Sequence, residues 1–471
     1  MTRLSVHSWR PGEGDRSRPV LMAALVVGLL IRLAILWQTP GLGTKIIDEQ
    51  QYSQIARSIV AGQGFAWGEG RPTSIRPPLY PAMLAGIWSA VGSENLQAVR
   101  VIQILLALLT TALVYVLGAR IYDARVGRWA AAVCWLYPSF IFFNFLILTE
   151  TLFTLLLVAF VLATVVLVQT PRAWLAVGCG VSLGFATLTR SILWPLPLVL
   201  CPLLALLIRA PLARRLALPC LVAIGYMLIV APWAIRNTRL QGVPTVVDTM
   251  GGINLRMGNY EYTPEDRMWD AVGLTGEQSW VYGIWNDLPG ETITEGRKDK
   301  WAQRKALEFM QAHPGLTLRR SFIKFADFWG LEREFMAGVQ NGLYAPALWF
   351  QVLGSAAIVL GYALVVMAGA AGIWMAAPDD RRMQILLLLP VLVIMGGHTI
   401  VFGHSRYHLP LIPIFGLYAA ALWTRAPAFA LSHRFVRIGA LASVSALLAV
   451  WIRQVAVVDL ARISSLFNHV G

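Results

Sequence analysis

Apolar runs of about 20 residues recur along the whole chain, and a run of that length matches the hydrocarbon core of a bilayer. Only 14% of the 471 residues are charged, and the mean hydropathy is +0.61, so the chain carries too little charge to cover a soluble surface. Helices are the expected spanning form, because a backbone in lipid must satisfy its own hydrogen bonds. The short alternating strands of a membrane β-barrel are not seen in the sequence. We therefore predict an all-α polytopic membrane protein.

The apolar runs indicate about eleven transmembrane helices, with extracytoplasmic amphipathic helices beside the membrane and a mainly helical extracytoplasmic segment. A further apolar stretch, Leu79–Val91, is too short to cross and is expected to be re-entrant or interfacial. The first span has no convincing cleavage site and should remain uncleaved. The predicted regions are a cytoplasmic basic tail (1–19), an N-terminal transmembrane module (20–235) with its first extracytoplasmic loop at 38–98, an extracytoplasmic segment (236–340), C-terminal transmembrane helices (341–456) and a C-terminal tail (457–471).

Charge in the connections between spans predicts the orientation of the chain. Every second connection is basic, and the positive-inside rule makes these connections cytoplasmic; they carry Arg120, Arg125, Arg128, Arg172, Arg209, Arg214, Arg215, Arg381, Arg382, Arg425, Arg434 and Arg437. The opposite, extracytoplasmic connections carry Asp48, Glu49, Arg76, Glu150, Arg190, Arg236 and Arg406. This assignment requires that Leu79–Val91 does not cross the membrane.

The net charge and the cysteines argue against a nucleic-acid-binding protein and against a protein built on disulfides or a metal site. The formal net charge is +14, but the arginines are scattered between apolar runs, which is typical of a topology signal and not of a nucleic-acid surface. The four cysteines fall within apolar runs, so we expect small core residues and neither disulfides nor a metal site; they are Cys134, Cys179, Cys201 and Cys220.

Acidic residues at the ends of two spans are candidates for chemistry. Asp48 and Glu49 follow the first span directly, and Glu150 stands at the outer end of another. Acids are also favoured at helix N-termini, so each of them could simply cap a helix. An ionisable group at the edge of a span is nevertheless a functional candidate.

Arginines and other polar groups share that side of the membrane. Arg76, Arg190, Arg236 and Arg406 could each be an ordinary interface arginine, but together they suggest an anion site, since a guanidinium fork suits phosphate oxygens. His404 and His408 have a spacing that could bind a metal, but no cysteine or HExxH pattern supports one, so we expect polar or phosphate contacts. The segment Gly251–Asn259 is predicted to be a tight loop whose glycines let the backbone approach a ligand. The tryptophans beyond it could stack on sugars or pack on the membrane surface; they are Trp269, Trp280, Trp285 and Trp301.

Several of these motifs occur in an order that resembles a known family. They are Arg76–Pro81, Thr149-Glu150, Leu188–Arg190, Pro232–Asn237, Gly251–Asn259 and Ser405–Tyr407. The chain, from about Val20 to Trp423, resembles the bacterial GT-C type integral-membrane glycosyltransferases, in the branch similar to protein O-mannosyltransferases and lipid A aminoarabinose transferases. Segment 236–340 matches no member with a known acceptor.

The resemblance implies transfer of a monosaccharide from a polyprenyl-phosphate donor, such as undecaprenyl phosphate sugar, to an acceptor hydroxyl with inversion. It implies Asp48 as general base, Glu49 as a weaker candidate and Glu150 as the second acidic position. Binding of the donor phosphate would fall to Arg76, Arg190, Arg236 and Arg406. Candidates for substrate contacts are Tyr52, Tyr80, Asn254, Asn259, Tyr407, His404 and His408.

The resemblance further implies a multi-pass protein of the bacterial cytoplasmic (inner) membrane with a cytoplasmic N-terminus and an extracytoplasmic active site. No cofactor or nucleic acid is expected, and a glycolipid, a cell-envelope polysaccharide such as lipopolysaccharide, or a protein could be the acceptor. A flippase for a phosphorylated lipid-linked sugar would also explain the arginines and the many spans. A glycan polymerase would fit the same orientation. The flippase explains less well why acids, arginines and the large loop share one face, and the order of the motifs argues against the polymerase.

Overall fold

The computed structural model describes residues 15–68, 70–265, 268–425 and 432–460. Most of the two predicted tails, 1–19 and 457–471, lies outside these ranges. The helices of the described residues are α1 (Ser17–Gln38), α2 (Ile47–Val60), α3 (Leu79–Val91), α4 (Leu96–Ile121), α5 (Ala124–Leu136), α6 (Pro138–Phe143), α7 (Glu150–Gln169), α8 (Ala173–Thr187), α9 (Leu196–Leu207), α10 (Leu212–Gln241), α11 (Gly251–Met257), α12 (Ile284–Asp287), α13 (Glu295–Ala312), α14 (Pro314–Phe328), α15 (Glu334–Gln340), α16 (Leu348–Met375), α17 (Arg381–Ile400), α18 (Ile412–Arg425) and α19 (Arg434–Arg453).

Short elements connect these helices. Strands β1 (Ala66–Trp67) and β2 (Arg71–Pro72) pair antiparallel, and they are the only strands in the part of the chain that the structure describes. Tight 3-10 helices occupy Ser191–Leu193, Met268–Gly273, Gly276–Gln278 and Ser405–Leu411, and a π-helical turn continues α19 over Gln454–Asp459. The predicted all-α class is therefore confirmed.

Within the described ranges, seven helices are long and apolar enough to cross a membrane, and three shorter apolar helices accompany them. The long ones are α1, α4, α7, α10, α16, α17 and α19, and the short ones are α3, α8 and α9. The apolar run Trp129–Phe145 is divided at Tyr137, because Pro138 begins a new helix, α6. Helix α3 has 13 residues, in keeping with the expectation that Leu79–Val91 is too short to cross. The count of eleven spans stays a prediction.

Small residues let the apolar helices approach each other closely, as is usual in membrane proteins. Helix α8 packs along α10 at such a contact. A Cβ on Gly180 would lie 2.0 Å from the carbonyl oxygen of Val222, and one on Gly225 would lie 2.3 Å from that of Val177. Glycine is required at both positions because the facing atoms belong to the backbone.

The basic connections lie at one end of the helix bundle. Tyr122 after α4 donates to the carbonyl oxygen of Ala376 after α16 (2.8 Å), and Arg382 in α17 donates to that of Leu207 in α9 (3.3 Å). The charged residues near Asp48 gather at the opposite end. The structure thus separates the two sets of connections that the charge pattern distinguishes; the assignment of one end to the cytoplasm stays a prediction of the charge rule.

The predicted tight loop at Gly251–Asn259 is wrong in part, because most of it forms helix α11. Asp299 of α13 caps that helix, with its Oδ1 accepting the N–H groups of Gly252 (2.6 Å) and Ile253 (3.2 Å). A Cβ on Gly252 would lie 2.1 Å from the carbonyl oxygen of Asp299. The glycine does permit a close backbone approach, but its neighbour is another helix of the same segment.

Candidate active site

Five charged side chains from separate parts of the chain meet in one buried cluster. Asp48 lies in the first turn of α2 and Glu150 begins α7, whereas Arg76, Arg190 and Arg406 lie in the connections before α3, α9 and α18. Arg76 Nη2 lies 2.5 Å from Asp48 Oδ1, and Arg406 Nη2 lies 2.8 Å from Asp48 Oδ2. Arg406 Nε and Arg190 Nη2 contact the same oxygen, Glu150 Oε1, at 2.8 and 2.5 Å. We call these five residues the charge cluster.

Backbone contacts between loops hold the cluster together. The Thr249 N–H donates to the carbonyl oxygen of Ser74 (3.0 Å), and the Leu79 N–H donates to that of Leu188 (3.1 Å). These two bonds flank Arg76 and fix its connection to those that follow α10 and α8. Residues more than a hundred positions apart are thereby brought to one site.

Within the charge cluster three guanidinium groups surround two carboxylates, and a further buried carboxyl, that of Asp248, lies near Arg76 with a pKa that burial raises. Asp48 is 7% exposed and Glu150 is 1% exposed, so water screens these charges weakly. Burial alone would raise the pKa of Asp48, but the guanidinium groups of Arg76 and Arg406 outweigh burial and hold it well below its usual range. Glu150 Oε2 is buried and has no hydrogen-bond partner among the described residues. The guanidinium groups can attract a further anion, whereas this carboxylate oxygen can accept a hydrogen bond or a proton from a ligand.

Glu49 turns away from the cluster despite being adjacent to Asp48. Its Oε2 accepts the N–H groups of Lys45 (2.8 Å) and Ile46 (2.9 Å), and its Oε1 accepts that of Ile147 (2.8 Å). Three backbone donors occupy this carboxylate, which caps α2 and ties it to the connection before α7. This is the capping role that the sequence left open for one of the two acids.

Arg236 lies apart from the other three predicted phosphate ligands. Its guanidinium donates to the carbonyl oxygens of Thr73 (2.6 Å) and Phe65 (3.0 Å), and it stacks 4.7 Å above the ring of Trp233. It holds the first loop against the end of α10. The structure thus brings together Arg76, Arg190 and Arg406 but not Arg236.

Aromatic side chains line two sides of the charge cluster. The Arg76 guanidinium lies 5.3 Å from the centre of the Tyr52 ring, which meets Tyr80 edge to face at 5.2 Å. Tyr407 lies 5.9 Å from the Arg190 guanidinium and 6.0 Å from that of Arg406. Tyr52 and Tyr407 are therefore placed to contact a ligand of the cluster, whereas the hydroxyl of buried Tyr80 is bonded to Gln103 (3.0 Å).

The other predicted polar residues have contacts of different kinds. His404 Nδ1 accepts the N–H of Arg406 (3.1 Å) and so shapes the 3-10 helix Ser405–Leu411. His408 is fully buried and contacts Glu332 (3.0 Å), which is not a member of the charge cluster. Among the described residues, no group of three side chains that could hold a metal ion is found.

Asn254 and Asn259 belong to the α11 region and lie outside the charge cluster. Asn254 is half-buried on α11, whereas Asn259 is buried and accepts a hydrogen bond from Lys324 Nζ (2.7 Å). Asn259 also donates to the carbonyl oxygen of Ile400 (3.1 Å). Asn259 therefore joins segment 236–340 to the end of α17.

Two polar residues near the cluster were not predicted from the sequence. Gln51 accepts a bond from Arg76 Nε (2.8 Å), and its position three residues after Asp48 on a helix could have indicated this. Asp248 is bonded to Ser191 and lies near Arg76, and burial raises its pKa. No local pattern marks Asp248, because only the tertiary fold brings it to the site.

Part of the sequence matches the model of a known protein family. Residues 75–235 match the family described as dolichyl-phosphate-mannose-protein mannosyltransferase. That segment includes Arg76, Glu150 and Arg190 of the charge cluster. No curated protein matches the sequence.

Solved structures with a similar fold include archaeal oligosaccharyltransferases. AglB from Archaeoglobus fulgidus, in complex with an inhibitory peptide and a dolichol-phosphate, is 16% identical over 93% of this chain and 55% of its own, with a TM-score of 0.50. The apo oligosaccharyltransferase of that organism is 14% identical over 92% of this chain and 56% of its own, with a TM-score of 0.52. This chain thus spans about half the length of those proteins.

ArnT from Cupriavidus metallidurans is 15% identical over 85% of this chain and 78% of its own, with a TM-score of 0.38, a similarity too low to argue from. The oligosaccharyltransferase similarity concerns the fold, and the family match covers residues 75–235, which begin within the first loop. Together they confirm the resemblance to which the ordered motifs point. The chain has the fold of the GT-C type integral-membrane glycosyltransferases.

Proposed function

We propose that the chain transfers a monosaccharide from a polyprenyl-phosphate donor to an acceptor hydroxyl, with inversion, at the charge cluster. The observation that carries this proposal is the buried convergence of three guanidinium groups on two carboxylates. Carboxylates can accept the proton of an attacking hydroxyl. Guanidinium groups can bind the phosphate that leaves. A glycosyl transfer from a lipid phosphate needs both functions in one place.

Arg76, Arg190 and Arg406 are proposed to bind the donor phosphate. Each uses part of its fork on a carboxylate, and their excess positive charge would attract a phosphate. The phosphate gains negative charge as the bond to the sugar breaks, so fixed cations stabilise the transition state more than the ground state. Arg236 is a weaker candidate, because its donors are already engaged by backbone carbonyl oxygens.

Asp48 is proposed as the general base, and its contacts suggest how donor binding would activate it. With Arg76 and Arg406 on its two oxygens, Asp48 has a lowered pKa and is a weak base. A phosphate that draws either guanidinium away would return the pKa of Asp48 toward its ordinary value. The donor would thereby switch on the base that the acceptor needs.

At the anomeric carbon, the proposed reaction forms one bond and breaks one, and a proton moves from the acceptor to the base. The acceptor oxygen bonds to the anomeric carbon as the bond from that carbon to the phosphate oxygen breaks, and the hydroxyl proton passes to Asp48. The sugar develops oxocarbenium character on the way. Glu150, fixed by Arg190 and Arg406, is proposed to keep Arg406 oriented and to help hold the acceptor or the base.

The proposal also covers the donor, the side of the membrane and the acceptor. The similar archaeal oligosaccharyltransferase was solved with a dolichol-phosphate, which supports a lipid-phosphate donor for this chain as well. The charge of the connections favours an active site on the outer face of a bacterial inner membrane. The acceptor is proposed to be a glycolipid, a polysaccharide or a protein that reaches this face.

The experiment compares purified wild type with Asp48→Asn on a panel of polyprenyl-phosphate sugars, following lipid binding and sugar release separately. We expect Asp48→Asn to keep lipid binding and to lose sugar release by roughly 100-fold or more, the usual range for a general base. Glu94→Gln, at an exposed acid paired with Arg57, is the matched control and should remain active. Full activity of Asp48→Asn would overturn the base assignment. Lipid movement across reconstituted vesicles without any sugar release would favour the flippase instead.

A further inference from the structure

A buried arginine lies inside the first membrane-spanning helix, away from the charge cluster. Arg32 of α1 has no exposed surface. Its Nε donates to Asn144 Oδ1 (2.8 Å), its Nη1 donates to the carbonyl oxygen of Gly28 (3.1 Å), and its guanidinium stacks 3.8 Å from the centre of the Trp135 ring. All these partners are neutral.

Its remaining nitrogen, Nη2, is buried and has no hydrogen-bond partner among the described residues. A guanidinium stays protonated in proteins, so Arg32 carries its full charge at this depth. A buried cation without a counter-charge is strongly unfavourable, and an ionisable residue inside a span usually marks a functional site. The charge of Arg32 therefore calls for a compensating anion.

Arg32 lines a small cavity between the helices. Besides Arg32, its lining residues with polar groups are Thr110, Asn144, Thr151 and Thr154, and the others are Ala107, Cys134 and Phe140. The cavity is about 20 Å³, measured as space open to the centre of a water-sized sphere. A single water needs roughly 10–15 Å³ by this measure. The cavity is thus large enough for one small ion and too small for a phosphate or a lipid headgroup.

The wall presents donors rather than negative charge. Thr151 Oγ1 accepts a bond from Asn144 Nδ2 (3.2 Å), which leaves the hydroxyl hydrogen of Thr151 free to donate. Thr154 donates to the backbone carbonyl oxygen of Glu150 (2.7 Å), and no carboxylate lines the cavity. Among the described residues, no acceptor is found for Arg32 Nη2, for the hydroxyl hydrogen of Thr151 or for the second hydrogen of Asn144 Nδ2.

We propose that this cavity binds a monovalent anion of the size of chloride, held by Arg32 and Thr151. The ion compensates the charge of Arg32 and lets α1 pack against α5 and α7. Its place in the structure differs from the donor site, since none of the charge-cluster residues lines the cavity. Binding of the ion is therefore expected whether or not the glycosyltransferase proposal holds.

The test measures thermal unfolding of the purified full-length chain in nanodiscs at constant ionic strength, with chloride replaced stepwise by gluconate, which is too large for the cavity. We expect the unfolding temperature to rise with chloride until the site is filled, and bromide to replace chloride. Arg32→Gln should abolish the dependence. Arg125→Gln, at an exposed arginine in the first turn of α5, is the matched control and should retain it.

A second measurement does not depend on the folding of Arg32→Gln. The ³⁵Cl line in nuclear magnetic resonance spectra should be broader with wild-type protein than without it, and competing bromide should remove the broadening. Thr151→Val should weaken chloride binding by about tenfold, since it removes one hydrogen bond to a charged group. Equal unfolding temperatures in chloride and gluconate without ³⁵Cl broadening would overturn the proposal in favour of a bound water. A halide effect that persists in a folded Arg32→Gln protein would overturn it by placing the ion elsewhere.

Discussion

Replacing Arg406 tests whether the charge cluster holds this end of the bundle together. Its guanidinium joins Asp48 and Glu150, with both contacts at 2.8 Å. The side chains of these acids are only 10% and 1% exposed, so solvent cannot replace the lost partner. Removing one member of a buried ion pair costs roughly 3–5 kcal/mol. Because each acid keeps one other guanidinium, we expect Arg406→Gln to lower the free energy of unfolding by about 3 kcal/mol, the lower end of that range.

The assay is reversible denaturation of the purified protein in mixed micelles, with Arg57→Gln as the control. Arg57 pairs with Glu94 at the surface, and a pair this exposed contributes about 0–1 kcal/mol. The lowered pKa of Asp48 means that its stabilising contribution is present above its ordinary pKa and is lost as the pH falls below about 4. The gap between wild type and Arg406→Gln should therefore narrow in acid. A loss no larger than that of the control, or a gap independent of pH, would refute this reasoning.

Three further predictions concern the free energy of unfolding. Burial lowers the pKa of Lys324 to about 7, so above that pH the unfolded chain binds more protons than the folded chain. The free energy of unfolding should therefore rise from pH 7 to 9 by at most about 1.4 kcal/mol per pH unit, and Lys324→Met should flatten that slope in denaturation curves. Gly403→Ala should cost roughly 1–3 kcal/mol, because its Cβ would lie 2.3 Å from the Lys324 carbonyl oxygen, whereas Gly396→Ala meets nothing within 4 Å; equal effects of the two changes would contradict this. A double-mutant cycle of Asp48→Asn and Arg76→Gln should show coupling of roughly 1–3 kcal/mol in the free energy of unfolding, and additive losses would show that their 2.5 Å contact contributes nothing.

The sequence predicts the composition of the charge cluster well because its signal is long-range and simple. Arg76, Arg190 and Arg406 lie in the connections that the positive-inside rule predicts to be extracytoplasmic and poor in basic residues. Arginines on that side are explained most simply by an anion that they bind. Arg236 lies in a connection of the same kind, but it has different partners. It binds carbonyl oxygens of the first loop, and only the folded chain brings that loop to it.

Neighbouring residues on a helix show a second limit of the sequence. Asp48 and Glu49 point about 100° apart around α2, since a turn has 3.6 residues, so only one of them can face the charge cluster. Either acid suits a first turn by charge, and the pattern does not distinguish them. The N–H of Ile147, about a hundred residues away, donates to Glu49, so Glu49 faces that connection and Asp48 faces the charge cluster.

Helix α11, in segment 236–340, also shows what a local pattern misses. Glycine-rich Gly251–Met257 has poor helix propensity, and a local interpretation favours a loop. Asp299 reverses that preference by capping the helix from α13. Polar side chains that act across long separations therefore account for most of what local patterns miss in this chain.

The proposed base and the proposed phosphate ligands use the same atoms, and this sharing bears on the order of events. Arg76 and Arg406 cannot direct the same N–H groups at Asp48 and at a phosphate. Without a donor, the arginines keep Asp48 ionised but weakly basic. With a donor phosphate in place, Asp48 would gain basicity at the moment when a sugar is available to react. A site built in this way would favour donor binding before deprotonation of the acceptor, because the base is released only by the ligand that competes for its partners.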